Sequence, residues 1–438
     1  MDVKSIVVVG GGPAGMMAAI RASSLGSGSS GQNVTLLEKN PTPGKKLLLT
    51  GKCRCNLTNA CDLETFLGKF HKNGKFLWIA FNTFSNIDLM QFFEDRGLKL
   101  KTERQLRVFP VTDTSTSILE ILKKELAENN VKIVYNAQIE DILVQDNQVK
   151  GVLLRQNAEC RMSNIECRIS EIGNRNSTIL CDRLILATGG VSYGWTGSTG
   201  EGLEIAQRLG HHIISLRGGL VPLKIKEHYP GLLEGLTLKN IQLTFSDGKR
   251  KIVSEVGELL FTGFGISGPL ILSLSGQIVD WLNEDKTVYV TIDLKPGLSY
   301  EQMDARFLRD FDANSKKSIR NILKFFLPQR MVDVFIEIAG INPDKQASQI
   351  KKDERHKLVT LFKGLQLEIT EALPIDYAMI TRGGISLKDI NPQTMESRII
   401  KGLYFAGEML DVDADTGGFN LQSAFSTGYL AGESAALK

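Results

Sequence analysis

The chain opens with a short apolar run that leads directly into a glycine-rich turn. Ile6 to Val9 has the pattern of a buried strand, and the helical pattern that follows is predicted to start near Pro13. A second apolar run, "NVTLLEK", predicts a strand that ends at Glu38. Two later runs, "CDRLILATGG" and "KGLYFAGE", again place a strand before a glycine turn. Strands that alternate with helices in this way predict an α/β fold.

The first glycine turn has the spacing of a dinucleotide-binding site. Gly10, Gly12 and Gly15 follow the strand in the order Gly-x-Gly-x-x-Gly. The first permits a tight turn, the second lets the backbone approach a pyrophosphate, and the third lets the helix pack on the strand. Glu38 comes twenty-three residues after Gly15, where a carboxylate accepts hydrogen bonds from ribose hydroxyls and repels a 2′-phosphate. This order favours FAD or NAD over NADP.

Two further glycine turns decide between FAD and NAD. Thr188–Gly190 follows one strand, and Gly407–Glu408 follows another near the C-terminus. A site that binds only NAD does not need these turns. FAD binds in an extended conformation, so its ribitol and isoalloxazine need further backbone contacts beyond the first turn. Glu408 is predicted to hold ribitol hydroxyls. The helix after Gly417–Gly418, expected from about Asn420, would direct its N–H groups at the flavin N1–C2=O edge. The predicted cofactor is therefore non-covalently bound FAD.

Composition is that of an ordinary globular protein. The 438 residues are 42% hydrophobic and 23% charged, with a net charge of +3 at pH 7, and this length predicts two or three domains. No apolar run is long enough to cross a bilayer, and the N-terminus lacks the pattern of a signal peptide. Six cysteines in so long a chain do not make a disulfide framework. The expected location is the cytoplasm, with no membrane partner.

The loop "GKKLLLTGKCRCNLTN", residues 44–59, holds two of the six cysteines among four basic side chains. The pair Cys53 and Cys55 raises the alternatives of a redox or a metal site. Only Cys61 lies nearby as a further thiol or imidazole ligand, so the pair is a poor metal site and none is predicted. The glycines and cations instead suit a loop that lies along a phosphate and a flavin.

Seven segments carry a family resemblance from end to end of the chain. They are "GGGPAGMMAA", "LLEKNPTPGKKLLLTGKCRCNLTN", "RVFPVTD", "LATGGVSYGWTGSTGEGLEIAQRLGH", "GELLFTGFGISGPLILSLS", "TRGGISLKDINPQTMES" and "GLYFAGEMLDVDADTGGFNLQSAFSTGYLAG". On these the chain resembles the aminoacetone-oxidase-like family of three-domain flavoproteins. The resemblance implies a Rossmann-like FAD-binding domain from residues 1–194 plus 374–438. It also implies an inserted β-barrel-like domain, residues 195–298 plus 358–373, and a small helical domain, residues 299–357.

The resemblance and the glycine turns together give one set of predicted cofactor contacts. The family usually has glycine or asparagine where Lys52 and Cys53 stand, so a family redox role for the Cys53/Cys55 pair is not predicted. The stretch Ala187–Gly210 is also similar to the flavin subunits of fumarate reductases. The predicted FAD contacts are Gly10, Gly12, Pro13, Ala14, Gly15, Glu38, Lys39, Lys45, Lys46, Gly51, Arg54, Cys55, Asn56, Ile139, Thr188, Gly189, Gly190, Gly407, Glu408, Gly417, Gly418, Phe419, Asn420, Leu421 and Gln422.

A second Gly-x-Gly-x-x-Gly match, Gly263 to Gly268, lies between a strand pattern and a helix pattern. Taken alone it predicts an NADH site, with Asp293 as the acid of the next strand. Too little strand-rich chain surrounds it for a full second nucleotide domain, and the resemblance assigns it to the inserted barrel. The polar segment 156–181 is predicted to be a hairpin or loop insertion with free thiols.

The leading functional hypothesis is an FAD-dependent oxidoreductase. Hydride would pass between flavin N5 and an amine, an alcohol or hydroxy acid, or an activated C=C bond of a small molecule, with O₂ or transiently bound NAD(P)H as the other redox partner. Tyr193 and Arg382 are the polar side chains predicted nearest the flavin face, where either would orient a substrate carboxylate or carbonyl. No metal is predicted, because no two of the five histidines have the spacing of a helical metal site.

Two alternatives belong to other functional classes. Lys316, Arg320 and Lys324 are expected on one helical face, which would suit an RNA-modifying flavoprotein. A solvated helix face is the favoured interpretation of these cations, so nucleic acid is not an expected partner. The other alternative is a flavin-binding interaction protein without turnover.

Overall fold

The computed structural model describes residues 5–25, 33–155, 161–162, 169–172 and 176–437. In chain order its strands are β1 Ser5–Val9, β2 Asn33–Glu38, β3 Thr58–Asn59, β4 Leu100–Thr102, β5 Arg107–Pro110, β6 Lys132–Tyr135, β7 Ile139–Gln145, β8 Gln148–Leu154, β9 Arg161–Met162, β10 Ile169–Ile172, β11 Asn176–Leu180, β12 Arg183–Leu186, β13 Ile213–Gly219, β14 Leu223–Ile225, β15 Thr237–Ser246, β16 Lys251–Val253, β17 Gly257–Thr262, β18 Gly265–Ser267, β19 Val288–Asp293, β20 Leu365–Ala372, β21 Ile380–Ile385 and β22 Leu403–Phe405. Its α-helices are α1 Pro13–Ser24, α2 Leu63–Gly68, α3 Trp78–Thr83, α4 Asn86–Glu94, α5 Ser115–Glu128, α6 Glu201–Arg208, α7 Pro269–Leu282, α8 Tyr300–Ala313, α9 Ile319–Leu323, α10 Gln329–Ala339, α11 Lys352–Gly364 and α12 Phe419–Leu437.

The chain divides into two compact units. One contains the described residues up to Gly218 and from Ala378 onwards, and the other contains Gly219–Tyr377. Residues 195–218 thus lie in the first unit, and the helices of residues 299–357 lie in the second. The division into three domains stays a prediction.

The first unit is built on a six-stranded sheet in the order β22-β12-β1-β2-β6-β9. Neighbours from β22 to β6 are parallel, and β9 joins β6 antiparallel at the edge. Val7 in β1 pairs with Leu184 on one side and Thr35 on the other. Central parallel strands are buried on both faces, which explains why the run Ile6–Val9 is apolar without alternation.

The two ends of the chain meet in one pair of helices, α1 and α12. A β-carbon at Gly428 would lie 2.2 Å from the carbonyl oxygen of Ala14, and one at Gly432 would lie 2.2 Å from that of Ala18. The two helices can therefore pack this closely only because Gly428 and Gly432 have no β-carbon. α12 begins at Phe419, one residue from the start predicted by sequence, and α1 begins at Pro13 as predicted.

Smaller sheets complete the first unit, in the orders β10-β11-β8-β7, β3-β5-β4 and β13-β21. β10 pairs antiparallel with β11, so the described part of the 156–181 segment contains a hairpin, as predicted. Cys160 and Cys167 lie outside the described residues. In the described part of the chain, no helix is long and apolar enough to span a bilayer.

The second unit is built on an antiparallel sheet in the order β16-β15-β17-β18-β14-β20-β19. β15 also pairs with β19, from Gln242 opposite Asp293 to Ser246 opposite Tyr289, so six of these strands close on themselves. This closure confirms the barrel-like insertion. Burial alternates along β15 from Asn240 to Ser246, as expected for a strand with one face in the core.

The second glycine match lies in a hairpin of this barrel. β17 and β18 pair antiparallel, with Leu260 opposite Ser267, so Gly263 lies in the turn between them. Gly268 then precedes α7 with φ 97°. A dinucleotide turn leads from a strand directly into a helix and lies in a parallel sheet. The segment therefore lacks the backbone of the NADH site that its spacing alone predicts.

The helices of the second unit share one hydrophobic core with the barrel. α9 begins only at Ile319, because the preceding residue takes the extended backbone of an N-cap. Lys316 thus precedes the helix, and the expectation of one helical face with Lys316, Arg320 and Lys324 is wrong. Arg320 Nε also lies 3.1 Å from a carboxylate oxygen of Asp333.

Candidate functional site

A cleft in the first unit opens where five parallel strands end. Its walls include residues at or just after the carboxyl ends of β1, β2, β6, β12 and β22, namely Val9, Glu38, Ala137, Ala187 and Gly407. The cleft encloses about 1420 Å³, with the open solvent at its mouth included. Open α/β sheets bind ligands outside the carboxyl ends of their strands. The cleft is therefore the candidate functional site.

The three glycines of the first turn have different surroundings. A β-carbon at Gly10 would lie 2.4 Å from the carbonyl oxygen of Ala187, and one at Gly15 would lie 1.9 Å from that of Gly10. These two glycines permit close packing of turn, strand and helix. Among the described residues, a β-carbon at Gly12 would meet no atom within 4 Å, and no side chain caps the N-terminus of α1 beside it. The open space and the free N–H groups fit a pyrophosphate.

Glu38 is fixed at the end of β2 by backbone donors. Its Oε2 accepts a 2.8 Å hydrogen bond from Gly11 N, and its Oε1 accepts one of 2.7 Å from Asn40 N. The side chain is 7% exposed and lines the cleft. A carboxylate held in this way keeps lone pairs for hydroxyl donors, which fits an adenosine ribose.

One wall of the cleft is tied together by side chains from three segments. Lys39 Nζ donates to Thr199 Oγ1 at 2.7 Å and lies 3.4 Å from Glu201 Oε2. Gln138 Nε2 donates to Glu201 Oε1 at 2.6 Å. Asn40 Nδ2 donates to Thr196 O at 3.0 Å. The start of α6 is therefore joined to the residues that follow β2 and β6.

A second polar cluster lies where the loop after β2 meets the loop after β22. Lys46 Nζ lies 2.6 Å from Glu408 Oε2 and donates to Ser192 Oγ at 2.7 Å. Glu408 Oε1 accepts from Thr381 N at 2.6 Å and from Ser192 Oγ at 3.0 Å. Lys46, Thr381 and Glu408 line the cleft. The cluster supplies a cation, a carboxylate and a hydroxyl, which fit the polyhydroxyl ribitol chain and the polar flavin edge.

Asn420 lines the cleft and also fixes the loop before α12. Its Oδ1 accepts from Ala414 N at 2.9 Å, and its Nδ2 donates to Ala414 O at 2.8 Å. The side chain thus orders the loop on which Val412, another cleft residue, lies. The side-chain amide of Asn420 is therefore occupied by hydrogen bonds to Ala414, and its backbone is part of the first turn of α12.

The structure brings most of the predicted cofactor contacts to this one cleft. Those that line it are Gly10, Gly12, Pro13, Ala14, Glu38, Lys39, Lys45, Lys46, Ile139, Thr188, Gly189, Gly407, Glu408, Asn420 and Leu421. Those outside its lining are Gly15, Gly51, Arg54, Cys55, Asn56, Gly190, Gly417, Gly418, Phe419 and Gln422. Several of the second group support lining residues: a β-carbon at Gly190, for example, would lie 2.2 Å from Thr381 Oγ1.

Arg54 is placed in a charged network on the three-stranded sheet. Its guanidinium pairs with Glu103, donates through Nε to Asp113 Oδ1 at 2.7 Å, and lies 4.2 Å from the centroid of the Phe109 ring. Lys101 Nζ pairs with the same Asp113 at 2.6 Å. The two carboxylates occupy the guanidinium, and Arg54 does not line the cleft.

The neighbours of Arg54 lie behind the cleft wall. Burial raises the pKa of the Cys55 thiol to about 12, partly offset by a hydrogen bond with Thr50, which does line the cleft. With its amide oriented to satisfy both neighbours, Asn56 accepts from Gly418 N at 3.2 Å and donates to Thr58 O at 3.2 Å. These residues connect the loop after β2 to the turn before α12.

Neither residue predicted to be catalytic lines the cleft. Tyr193 is half-buried in a left-handed turn, where burial raises the pKa of its phenol, and its ring contacts that of Trp195 edge to face. Arg382 is 8% exposed, and its Nε lies 3.4 Å from Asp413 Oδ2. It directly follows the cleft residue Thr381. Their roles with substrate stay predictions.

Sequence reasoning missed several residues that line the cleft. Gln138 carries no local signal, because only the pairing of β2 with β6 brings it near Glu38. Asn40 is two residues after Glu38, but no motif marks it as a cleft residue. The segment 196–201 did carry one: glycines at 197 and 200 precede a helical pattern, and Gly200 has φ 84° at the start of α6. This arrangement repeats, at a second strand, the turn-then-helix order of the first glycine site.

In the part of the chain that the structure describes, the thiols and histidines outside the cleft do not cluster into a metal site. Cys53, Cys55, Cys61 and Cys181 are free, and burial raises the pKa of Cys181 to about 12. Within the described ranges, no group of three His, Cys, Asp or Glu side chains could hold a metal ion. His211 is buried, and its lowered pKa, which burial causes, makes it a neutral partner of Ser397 Oγ at 2.7 Å.

Comparison with known proteins decides the family. The family model described as "HI0933-like protein Rossmann domain" matches residues 4–434. The chain belongs to the HI0933-like family. A relative from Clostridium scindens, a 3-dehydro-bile acid delta(4,6)-reductase, is 31% identical over 98% of this chain and 98% of its own length. This HI0933-like protein is accordingly an FAD-dependent oxidoreductase with a Rossmann dinucleotide-binding domain.

Two other matches extend the comparison of this HI0933-like chain. A ribosomal RNA dihydrouridine synthase from Haemophilus influenzae is 29% identical over 97% of this chain and 96% of its own length. Among solved structures, a 3-ketosteroid-delta4-(5alpha)-dehydrogenase from Rhodococcus jostii matches 100% of this chain and 97% of its own, with a TM-score of 0.52 and 15% identity. The structural likeness shows that the fold is shared.

Proposed function

We propose that this protein reduces a C=C bond conjugated with a carbonyl group in a small organic molecule, using FAD. One observation carries the proposal: the names of its full-length relatives describe the same bond change. A 3-dehydro-bile acid delta(4,6)-reductase acts on double bonds conjugated with a 3-oxo group. A dihydrouridine synthase saturates a uracil double bond that is conjugated with a ring carbonyl. The activated C=C bond is thus favoured over an amine or alcohol.

The residues of the cleft fit the parts of FAD in order. Gly10, Gly12 and the start of α1 would hold the pyrophosphate, and Glu38 would hold the adenosine ribose. Lys46 and Glu408 would hold the ribitol and the polar flavin edge. The bound flavin supplies a two-electron hydride donor at N5. In the overall change one alkene carbon gains that hydride and the other gains a proton, so the C=C bond becomes CH–CH.

NAD(P)H is proposed as the source of the electrons. When a flavin reductase saturates a carbon–carbon bond, its flavin is oxidised and must be reduced again after each turnover. A reduced nicotinamide is a two-electron hydride donor that can do this. The hairpin at Gly263 lacks dinucleotide-turn geometry, so a transient contact without a second Rossmann unit is expected.

The test starts with the visible spectrum of the purified protein under anaerobic conditions. NADH and NADPH are added in turn, followed by a conjugated dienone steroid or its saturated analogue. The expected result is bleaching of a yellow protein by one nucleotide and recovery of colour with the dienone alone. Bleaching that the dienone does not reverse, followed by recovery of colour and consumption of O₂ once air is admitted, would replace the reductase with an oxidase. A protein that binds no flavin would remove the proposal entirely.

A second candidate substrate, a uracil in ribosomal RNA, rests on the relatives with that name. It involves the same bond change, so the flavin spectrum alone does not separate the two. Unmodified ribosomal RNA and the dienone are therefore offered to the reduced protein in parallel. A gain of two hydrogens in a uridine, with no turnover of the dienone, would select RNA; the reverse would select the small molecule.

A further inference from the structure

A histidine outside the cleft joins two segments of the first unit. His71 Nδ1 lies 2.6 Å from Asp413 Oδ2, and its Nε2 lies 3.0 Å from Asp415 Oδ1. The backbones pair as well: His71 N donates to Asp413 O at 3.0 Å, and Asp415 N donates to Lys69 O at 3.1 Å. Both ring nitrogens face carboxylates, so the imidazole is bound as a cation between two acidic side chains of one loop.

Asp413 is shared between His71 and a second cation. Its Oδ2 also lies 3.4 Å from Arg382 Nε. Asp413 is 5% exposed and Arg382 is 8% exposed, so water does not screen this contact strongly. A buried carboxylate with two cationic partners has a fixed orientation, and it fixes the partners in turn.

Asp413 and Arg382 each directly follow a residue that lines the cleft. Val412 lines the cleft immediately before Asp413, and Thr381 lines it immediately before Arg382. The loop Asp411–Asp415 is also held through Ala414 by the cleft residue Asn420. A displacement of the Asp413 side chain would therefore also displace the loop Asp411–Asp415 and the guanidinium of Arg382.

We propose that His71 is a positioning residue: through Asp413 it fixes the loop Asp411–Asp415 and the guanidinium of Arg382 beside the cleft. The inference rests on the proposed function in that Arg382 would orient the carbonyl of the conjugated substrate. His71 itself contacts no reacting atom. A fixed donor near the carbonyl matters because small displacements of an orienting group lower the rate steeply.

The charges that face the cluster set its dependence on pH. They are the side chains of Lys69, His71, Lys72, Arg382, Asp411, Asp413 and Asp415. Hydrogen bonds to Asp413 and then Asp415 raise the pKa of His71 to about 9. Burial, followed by the charge of Asp413, raises the pKa of Asp411. His71 is thus a cation at neutral pH and loses its charge as the pH rises through about 9.

The experiment compares the FAD-loaded parent with His71→Gln, and uses His228→Gln as the matched control. His228 is exposed, and its Nε2 lies 3.9 Å from Glu337 in the second unit. For His71→Gln we expect kcat/KM with the conjugated ketone to fall about tenfold to hundredfold, with FAD affinity changed less than about threefold. The parent should lose rate above about pH 9, and His71→Gln should not show that limb.

A second readout needs no substrate. Amide hydrogen exchange in the peptide that contains residues 411–415, corrected for the intrinsic effect of pH, should be faster in His71→Gln at pH 7. In the parent it should accelerate above about pH 9. If no conjugated ketone is turned over by the parent, the proposed function fails while this exchange still decides whether His71 fixes the loop.

Two outcomes overturn the inference. One is a His71→Gln protein with the kcat/KM, pH profile and loop exchange of the parent. The other is a variant that loses FAD affinity and activity by the same factor, because His71 would then support the fold in general and not position Arg382.

Discussion

Lys52, Cys53 and Cys55 take left-handed backbone conformations, with φ of 57°, 65° and 60°. For a residue with a β-carbon this region costs about 1–2 kcal/mol, which glycine avoids. Cys53→Gly should therefore raise the free energy of unfolding by about 1 kcal/mol, measured by urea denaturation of the apoprotein. Cys53→Ala is the control, because it removes the thiol and keeps the β-carbon. Equal gains in both variants would assign the effect to the thiol.

The glycines of the first turn give a matched pair of variants. Gly15→Ala would place a methyl group 1.9 Å from Gly10 O, so we expect a loss of roughly 1–3 kcal/mol in apoprotein stability. In Gly12→Ala the new methyl group meets no atom of the described residues within 4 Å, so apoprotein stability should change by less than about 0.5 kcal/mol. Its methyl group would occupy the pyrophosphate space, and FAD affinity should fall at least about tenfold. Thermal denaturation and flavin fluorescence titration measure the two effects, and unchanged FAD affinity in Gly12→Ala would contradict this placement.

At the scale of elements, the ion pairs of His71 join the segment 69–73 to the loop 411–415. The folded-state pKa of about 9 lies above the ordinary value of 6.5, so the pairing stabilises the folded protein fully below about pH 6.5. That stability is lost as the pH rises from about 6.5 to 9, by roughly 2 kcal/mol after allowance for solvent screening. Urea denaturation at stepped pH measures the loss.

His71→Gln provides the control for this pH dependence. Glutamine does not titrate, so the variant should be less stable than the parent at pH 6 and should approach it at pH 9.5. An identical slope in both proteins would show that other groups of the cluster, such as Asp411, cause the change.

At the scale of the whole molecule, each compact unit has its own hydrophobic core. The second unit is one continuous segment, Gly219–Tyr377, whose barrel closes through its own strands. Expressed alone, this segment should fold, and its far-ultraviolet circular dichroism spectrum should show both strand and helix. It should unfold in a cooperative thermal transition. It should bind no flavin, because every residue that lines the cleft belongs to the first unit. A non-cooperative transition would show that the core of this unit is incomplete.

Elements with local patterns can be predicted from the order of amino acids alone. The apolar run at Ile6–Val9, the helix start at Pro13 and the spacing of Gly10, Gly12 and Gly15 fix a strand, a turn and a helix within one short stretch. The acid at Glu38 follows at the distance that a second strand requires. These features predict the α/β fold and the FAD cleft because backbone geometry and glycine sterics act over a few residues.

Features that depend on residues distant in the chain follow from how the elements pack together. Gln138 reaches the cleft through the pairing of β2 with β6, and Thr381 reaches it in β21 through its contact with Glu408. The pairing of two loops places His71 between Asp413 and Asp415. The Gly263 segment forms a hairpin because β17 and β18 pair antiparallel. Glycine spacing alone does not specify whether neighbouring strands run parallel or antiparallel. Long-range pairing is selected by burial across the whole core, which no local window of the chain contains.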